Sequence, residues 1–136
     1  SADKANVEII TSLPEYEVFV KVDRVQLEQV LINLIINAIE ASQVEKDKDV
    51  KPVYISTELR DGLLVLTVED RGIGLDEKNF EKIYQQFYTT KDAGLGMGLA
   101  ISKSLIEGMG GELWAGNNIN SSGAFFSFSL HLSNIS

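Results

Sequence analysis

Two runs rich in β-branched and aliphatic residues, PVYISTEL and LLVLTVED, flank Asp61–Gly62, and that junction restricts the fold more than any other feature of the chain. Asp-Gly closes a two-residue hairpin because both central positions of such a turn need a positive φ. An antiparallel strand pair is therefore required, and the rest must be built around it. The closing run GAFFSFSLHL alternates cleanly, with Phe126, Phe128, Leu130 and Leu132 expected inward and Ser127, Ser129 and His131 outward. ELWAGN reads as the strand before it. Near the start, VEIIT (7–11) and EVFVKV (17–22) read as two short strands joined by a turn at Pro14.

Helices interrupt these strands. Asp23 suits an N-cap, and a helix is predicted over about 24–44. Leu27, Val30, Leu31, Leu34, Ile35, Ala38 and Ala41 recur on it at helical spacing, while Gln26, Gln29, Asn33, Asn37 and Glu40 share the other side. A short helix is expected over 79–86. Another is expected over 99–109, stopped by Gly110–Gly111. Hairpins mixed with helices imply an α+β two-layer sandwich, with a mixed, mostly antiparallel sheet and helices on one face. At 136 residues the chain suits a single domain spanning 1–136 with a real core.

Composition narrows the function. No cysteine is present, which removes disulfides, zinc ribbons and thiol catalysis. The formal net charge of −8 disfavours nucleic acid and direct membrane contact, since both need clustered Lys and Arg. The EKDKDVK run alternates in sign and reads as a solvated loop. No window has the length of a membrane span, and no secretory signal pattern opens the chain. The abrupt start at Ser1 fits a piece of a longer chain.

Four features break the apolar pattern. Asn33 and Asn37 lie one turn apart inside LINLIINAIEA. Two readings fit: amides satisfied by other protein groups, or amides lining a cavity, where an Asn carbonyl is a neutral, hard ligand for magnesium. In VEDRGIG, Asp70 ends a strand and Gly72 and Gly74 follow. This is either a plain turn, or a carboxylate placed to accept from an exocyclic amine while the glycines let a flat ring approach. Adenine has that amine; guanine has a carbonyl in its place, which would leave the carboxylate unpaired. In FYTTKDAGLGMGLAIS, Lys91 precedes a glycine stretch that runs into a helix, a combination able to hold phosphate. It is neither a dinucleotide fingerprint nor a P-loop, lacking the preceding strand of one and the Gly-Lys-Ser/Thr of the other. The fourth feature, SSGAFFSF, is by itself a turn at Gly123.

Taken in order, these features resemble the catalytic and ATP-binding domain of sensor histidine kinases, in the wider gyrase, chaperone and mismatch-repair ATPase superfamily. DRVQLEQVLINLIINAIEA is similar to the N box, DRGIG to the G1 box, FEKIYQQFYTTK to the F box and GLGMGLAIS to the G2 box. GGELWAGNNINSSGAFFSFSL resembles the closing Gly-Gly and G3 region, so the likeness covers about 19–130. NAIEA and FYTTK resemble the short-lid oxygen-sensing and nitrogen-regulatory subgroup. The resemblance implies the Bergerat fold, ATP and Mg²⁺. It implies that Asn37 ligates the metal and that Asn33 sits beside the phosphates and metal-bound water. Asp70 would bond the adenine amine, with Gly72 and Gly74 shaping the base pocket. Lys91 would reach the terminal phosphates. Gly94, Gly96 and Gly98 would form a lid hinge and, with Leu99, the helix start that holds phosphate. Phe87 would pack under the lid. Residues 1–6 would be a linker remnant from an upstream dimerisation and histidine domain.

Three departures from the family pattern stand out. Ala124 replaces a common Thr, removing a hydroxyl beside the adenine. Leu130–His131 replaces a Leu-Pro ending. Ile39 and Glu40 follow the N-box Asn where many relatives carry a basic residue, so phosphate contact would rest more on Lys91. The resemblance also separates activities. The hydrolysing branch has a Glu at the place of Asn33, and an amide cannot serve as a base near neutral pH. His131, the only histidine, lies on the outward face of the last strand and far in sequence from every box. The implied function is therefore half of a protein-histidine kinase, bacterial and cytoplasmic, whose parent could be membrane-anchored. Its partners would be the histidine-bearing dimerisation domain and, downstream, a response regulator receiver domain. A serine kinase of the same fold, or a nucleotide-sensing or docking module without catalysis, are the alternatives.

Overall fold

The computed structural model describes residues 7–12, 17–43, 51–72, 74–75 and 93–133. Five strands and two helices are found there: β1 (Val7–Ser12), α1 (Arg24–Gln43), β2 (Lys51–Arg60), β3 (Leu63–Glu69), α2 (Ala93–Gly108), β4 (Glu112–Asn117) and β5 (Ala124–His131). The strands form one sheet in the order β1-β2-β3-β5-β4. β1 runs parallel to β2, and the other neighbours are antiparallel. The expected mixed, mostly antiparallel sheet is thus present.

The β2–β3 hairpin turns at Asp61 (φ 52°) and Gly62 (φ 78°), the two positive dihedrals the dipeptide predicted. Asp23 caps α1, accepting the Gln26 amide on Oδ1 at 3.1 Å. At the end of α2, Gly110 takes φ 85°, its amide donates to the Glu107 carbonyl, and the Gly111 amide donates to the Ile106 carbonyl. That is a complete Schellman stop.

Both helices bury their apolar faces on the same side of the sheet. Val30, Leu34 and Ala38 of α1 and Leu99 and Ile106 of α2 meet Val53, Ile55, Val68, Leu113, Phe126, Phe128 and Leu130. In register, Val68 faces Phe126 and Leu66 faces Phe128, so the alternation on β3 and β5 fills one layer. Neither of the two described helices packs on the opposite face. It carries Tyr54 with the Arg71 guanidinium 4.5 Å above its ring, and the half-exposed Trp114.

Two expectations are corrected and one is refined. Residues 17–22 do not pair with β1; they make a single bridge, Val20 with Leu132, and the Phe19 carbonyl accepts the Ser133 amide at 2.7 Å. β1 instead pairs with β2, reached through the α1 crossover, and Val20 and Val22 use their alternation to pack against the core edge. Ser127 and Ser129 do lie on the outer face, yet both are buried. Ser127 shares a 2.7 Å hydrogen bond with Thr67, and Ser129 Oγ accepts the Glu112 amide at 3.2 Å. Finally, α2 begins at Ala93 rather than Leu99. The helix predicted over 79–86, the turn at Pro14, the linker residues 1–6, and Phe87 and Lys91 lie outside the described residues, as does the EKDKDVK run up to Val50.

Candidate nucleotide site

One line on α1 organises the site. Asn33, Asn37 and Ala41 are spaced four residues apart and therefore follow one another along the helix. At one end, Asn33 Nδ2 donates to Ser102 Oγ at 3.2 Å and to the Gly98 carbonyl at 3.4 Å, tying α1 to α2. Ser102 is itself fully buried. At the other end, Gly72 lies against the Ala41 carbonyl so closely that a Cβ there would collide with it. The amide row thus reaches from α2 to the glycine turn after β3.

Asn37 sits between these anchors. It is 5 % exposed as a residue, yet its amide atoms are not among the buried polar atoms left without a partner in the described residues. Asn33 follows the first of the two sequence readings through Nδ2, which is bonded to protein groups. Asn37 keeps the donor chemistry of the second: a neutral carbonyl oxygen that suits magnesium when phosphates and water fill the remaining positions. Among the described residues no group of three or more His, Asp or Glu side chains could hold a metal by itself.

Asp70 is a buried polar residue held by two backbone amides. Its side chain is buried, 1 % exposed. Oδ1 accepts the Gly72 amide at 2.9 Å and the Ala124 amide at 3.1 Å. Burial pushes the carboxyl above the usual carboxylate range. The two amides and the Arg71 charge pull the other way without cancelling it, and Glu69 adds to the rise. Both protein donors meet at Oδ1, so Oδ2 makes no hydrogen bond with the described residues.

The turn itself is built for close approach. Gly74 takes φ 85°, and a Cβ on it would stand 2.8 Å from Asn117 Oδ1. Gly123, with φ 96°, presses on the Asp70 carbonyl from the β4–β5 loop. Only glycine fits these positions without strain.

Of the remaining expected site residues, Gly94, Gly96 and Gly98 fall inside α2 and do not form a loop ahead of it. Leu99 is a core residue, 5 % exposed, six positions into the helix. Any anion at the helix start would therefore meet amides near Ala93 rather than Leu99. Gly98 contributes closeness: its Cα side faces Asn33, where an added Cβ would still stand 3.7 Å away. Sequence reasoning missed Asn117 and Asn118. Both side chains bond the backbone of the glycine turn, across 42 to 48 residues of sequence.

Comparison with known proteins gives a consistent picture. Residues 22–134 match the family model described as histidine kinase-, DNA gyrase B-, and HSP90-like ATPase. The chain is 40 % identical over 129 residues to the sensor protein FixL of Bradyrhizobium diazoefficiens, a match that takes in 95 % of this chain and 25 % of FixL. The chain thus spans about a quarter of that relative's length. It superposes on the nucleotide-free catalytic domain of histidine kinase ThkA with a TM-score of 0.80 at 32 % identity, covering 95 % of this chain and 81 % of that one. With full-length ShkA in complex with AMPPNP the TM-score is 0.83 at 26 % identity, covering 99 % and 27 %.

Proposed function

Because the chain belongs to the histidine kinase-, DNA gyrase B-, and HSP90-like ATPase family, as the ATP-binding catalytic domain of a sensor histidine kinase, we propose that it binds ATP with Mg²⁺ and presents the γ-phosphate to a histidine on a separate domain. The observation that carries this reading is the Asp70 carboxylate, buried and held through Oδ1 by two backbone amides. A carboxylate so placed offers Oδ2 to the exocyclic amine of adenine, with the Gly72 and Gly74 backbone against the ring.

Each residue has a role in this reading. Asn37 would hold Mg²⁺ through its amide oxygen. Mg²⁺, when bound, supplies charge neutralisation at the phosphates. Asn33 orients the α1–α2 junction beside the phosphates through Ser102 and Gly98. Lys91 would reach the terminal phosphates. Catalysis is then positioning plus neutralisation of charge. Asn33 cannot take a proton from water, so the chain alone has no general base for hydrolysis at this position. The base and the nucleophile come from the domain bearing the phosphoacceptor histidine, and a response regulator receiver domain accepts the phosphoryl group afterwards. His131 is exposed at the outer end of β5, paired in register with Leu63, and is no candidate acceptor. No helix of the described residues is long and apolar enough to cross a membrane. In this reading the domain works in the cytoplasm, where ATP is available.

The test is a calorimetric titration of the chain with ATP and Mg²⁺, beside Asp70→Asn. The native chain should bind ATP in the micromolar range with negligible turnover. Asp70→Asn should weaken ATP at least about tenfold, as the loss of a hydrogen bond to a charged group does. Sustained hydrolysis by the isolated chain, abolished by Asn33→Ala, would refute the reading.

A further inference from the structure

The last residue of β4 and the loop that follows it grip the glycine turn at both ends. Asn117 meets Leu75 twice: its Oδ1 accepts the Leu75 amide at 2.7 Å, and its Nδ2 donates to the Leu75 carbonyl at 3.0 Å. Asn118 holds the other end, its Nδ2 donating to the Asp70 carbonyl at 2.8 Å and to the Ser122 carbonyl at 2.9 Å. Ser122 Oγ then donates to the Arg71 carbonyl at 3.1 Å, and the Asn118 amide donates to the Gly123 carbonyl at 3.0 Å.

The identity of these side chains follows from the pattern. Asn117 must accept and donate in parallel, matching a backbone N–H and C=O, which only an amide side chain does. Asn118 must place a donor between two carbonyls; an Asp there would set a carboxylate against both. Its own Oδ1 is buried without a partner among the described residues. That cost is tolerated in return for the two contacts made by Nδ2. Two adjacent residues at the end of one strand thus fix residues 70 and 75, the two ends of the segment that carries Asp70, Gly72 and Gly74.

We propose that Asn117 and Asn118 are positioning residues for base recognition, setting the spacing at which the Asp70 carboxylate and the glycine backbone meet adenine. This rests on the reading of Asp70 given above. The pair touches no nucleotide; it acts through Asp70 and the turn. A purely structural role would lower stability and weaken every nucleotide alike. A positioning role acts on adenine nucleotides and depends on the Asp70 carboxylate.

The experiment is a double-mutant cycle on the chain, with ATP, ADP and GTP titrated in the presence of Mg²⁺. The four proteins are the native chain, Asn118→Ala, Asp70→Asn and the double variant. Asn118→Ala should weaken ATP and ADP about tenfold in the native background and less than about threefold when Asp70 is Asn, because coupled sites are not additive. GTP binding should change less than about threefold in all four proteins. An equal loss in both backgrounds, or no loss, would overturn the proposal while leaving the Asp70 reading intact. A native chain that prefers ATP over GTP in no measurement would overturn both. If Asn118→Ala does not fold, the same cycle with Asn117→Ala decides by the same outcomes.

Discussion

Asp70 and Ala124 are joined twice: the Asp70 amide donates to the Ala124 carbonyl at 2.9 Å, and the Ala124 amide donates to Asp70 Oδ1 at 3.1 Å. The first bond continues the β3–β5 ladder by one more residue. The second turns the same strand end into a clamp on a buried carboxylate.

The burial of that carboxylate makes stability depend on pH with a definite sign. Burial raises the Asp70 carboxyl above its unfolded value. Its contribution to stability is therefore fully present below the unfolded value and is lost as pH rises through the raised, folded one. Asp70→Asn should be more stable than the native chain at neutral pH, with the advantage shrinking on acidification toward the ordinary carboxylate range. Urea unfolding of both proteins from about pH 4 to about pH 8 checks this. ATP affinity of the native chain should fall over the acidic part of that window. The Asp70→Asn variant supplies the baseline for protonation of the nucleotide itself.

Ala124 is buried on the inner face, and the register that puts Val68 beside Phe126 puts its methyl on the same side as Asp70. Ala124→Thr would add a hydroxyl next to the carboxylate. ATP should bind more tightly by about 1 kcal/mol, the net value of one hydrogen bond, with GTP unchanged. Parallel titrations of the two nucleotides measure it.

Gly123 and Gly62 both have positive φ, 96° and 78°, but differ in surroundings. A Cβ on Gly62 meets nothing within 4 Å, whereas one on Gly123 collides with the Asp70 carbonyl and stands 2.7 Å from Arg71 Cα. Gly62→Ala should cost about 1–2 kcal/mol, the left-handed penalty alone. Gly123→Ala should cost clearly more, about 3 kcal/mol or above, since backbone has to move. It should also weaken ATP, which Gly62→Ala should not. Denaturant midpoints and ATP titrations of the two variants separate the effects.

The parts of this fold that were legible in sequence are those set by local rules. The turn at Asp61–Gly62, the cap at Asp23, the stop at Gly110–Gly111 and the alternation of Phe126, Phe128 and Leu130 each follow from backbone dihedrals or a two-residue period. The errors come from tertiary contacts. The alternation of Val18, Val20 and Val22 is that of a strand, but only Val20 finds a strand partner, because β1 is committed to β2. The glycines at 94, 96 and 98 suggest a loop by propensity, each costing about 1 kcal/mol in a helix. Their place in α2 accompanies the packing of that helix on α1 through Asn33 and Ser102. Of the candidate site, the sequence pointed to residues whose type breaks the local pattern: Asn33 and Asn37 in an apolar run, and Asp70 before two glycines. Asn117 and Asn118 did not stand out, since an Asn-Asn pair after a strand looks like any turn until residues 70 and 75 are brought against it.

Trp114 is the chain's single tryptophan, and it stands on the outer face of β4, across from Ser127, while Leu113 and Ala115 point to the helices. The indole thus lies on the other side of the sheet from the proposed nucleotide site around Asn37. Its fluorescence will report the melting of β4 and β5 and stay nearly silent when ATP binds. One spectroscopic channel can therefore follow unfolding in the presence of ligand, free of interference from occupancy.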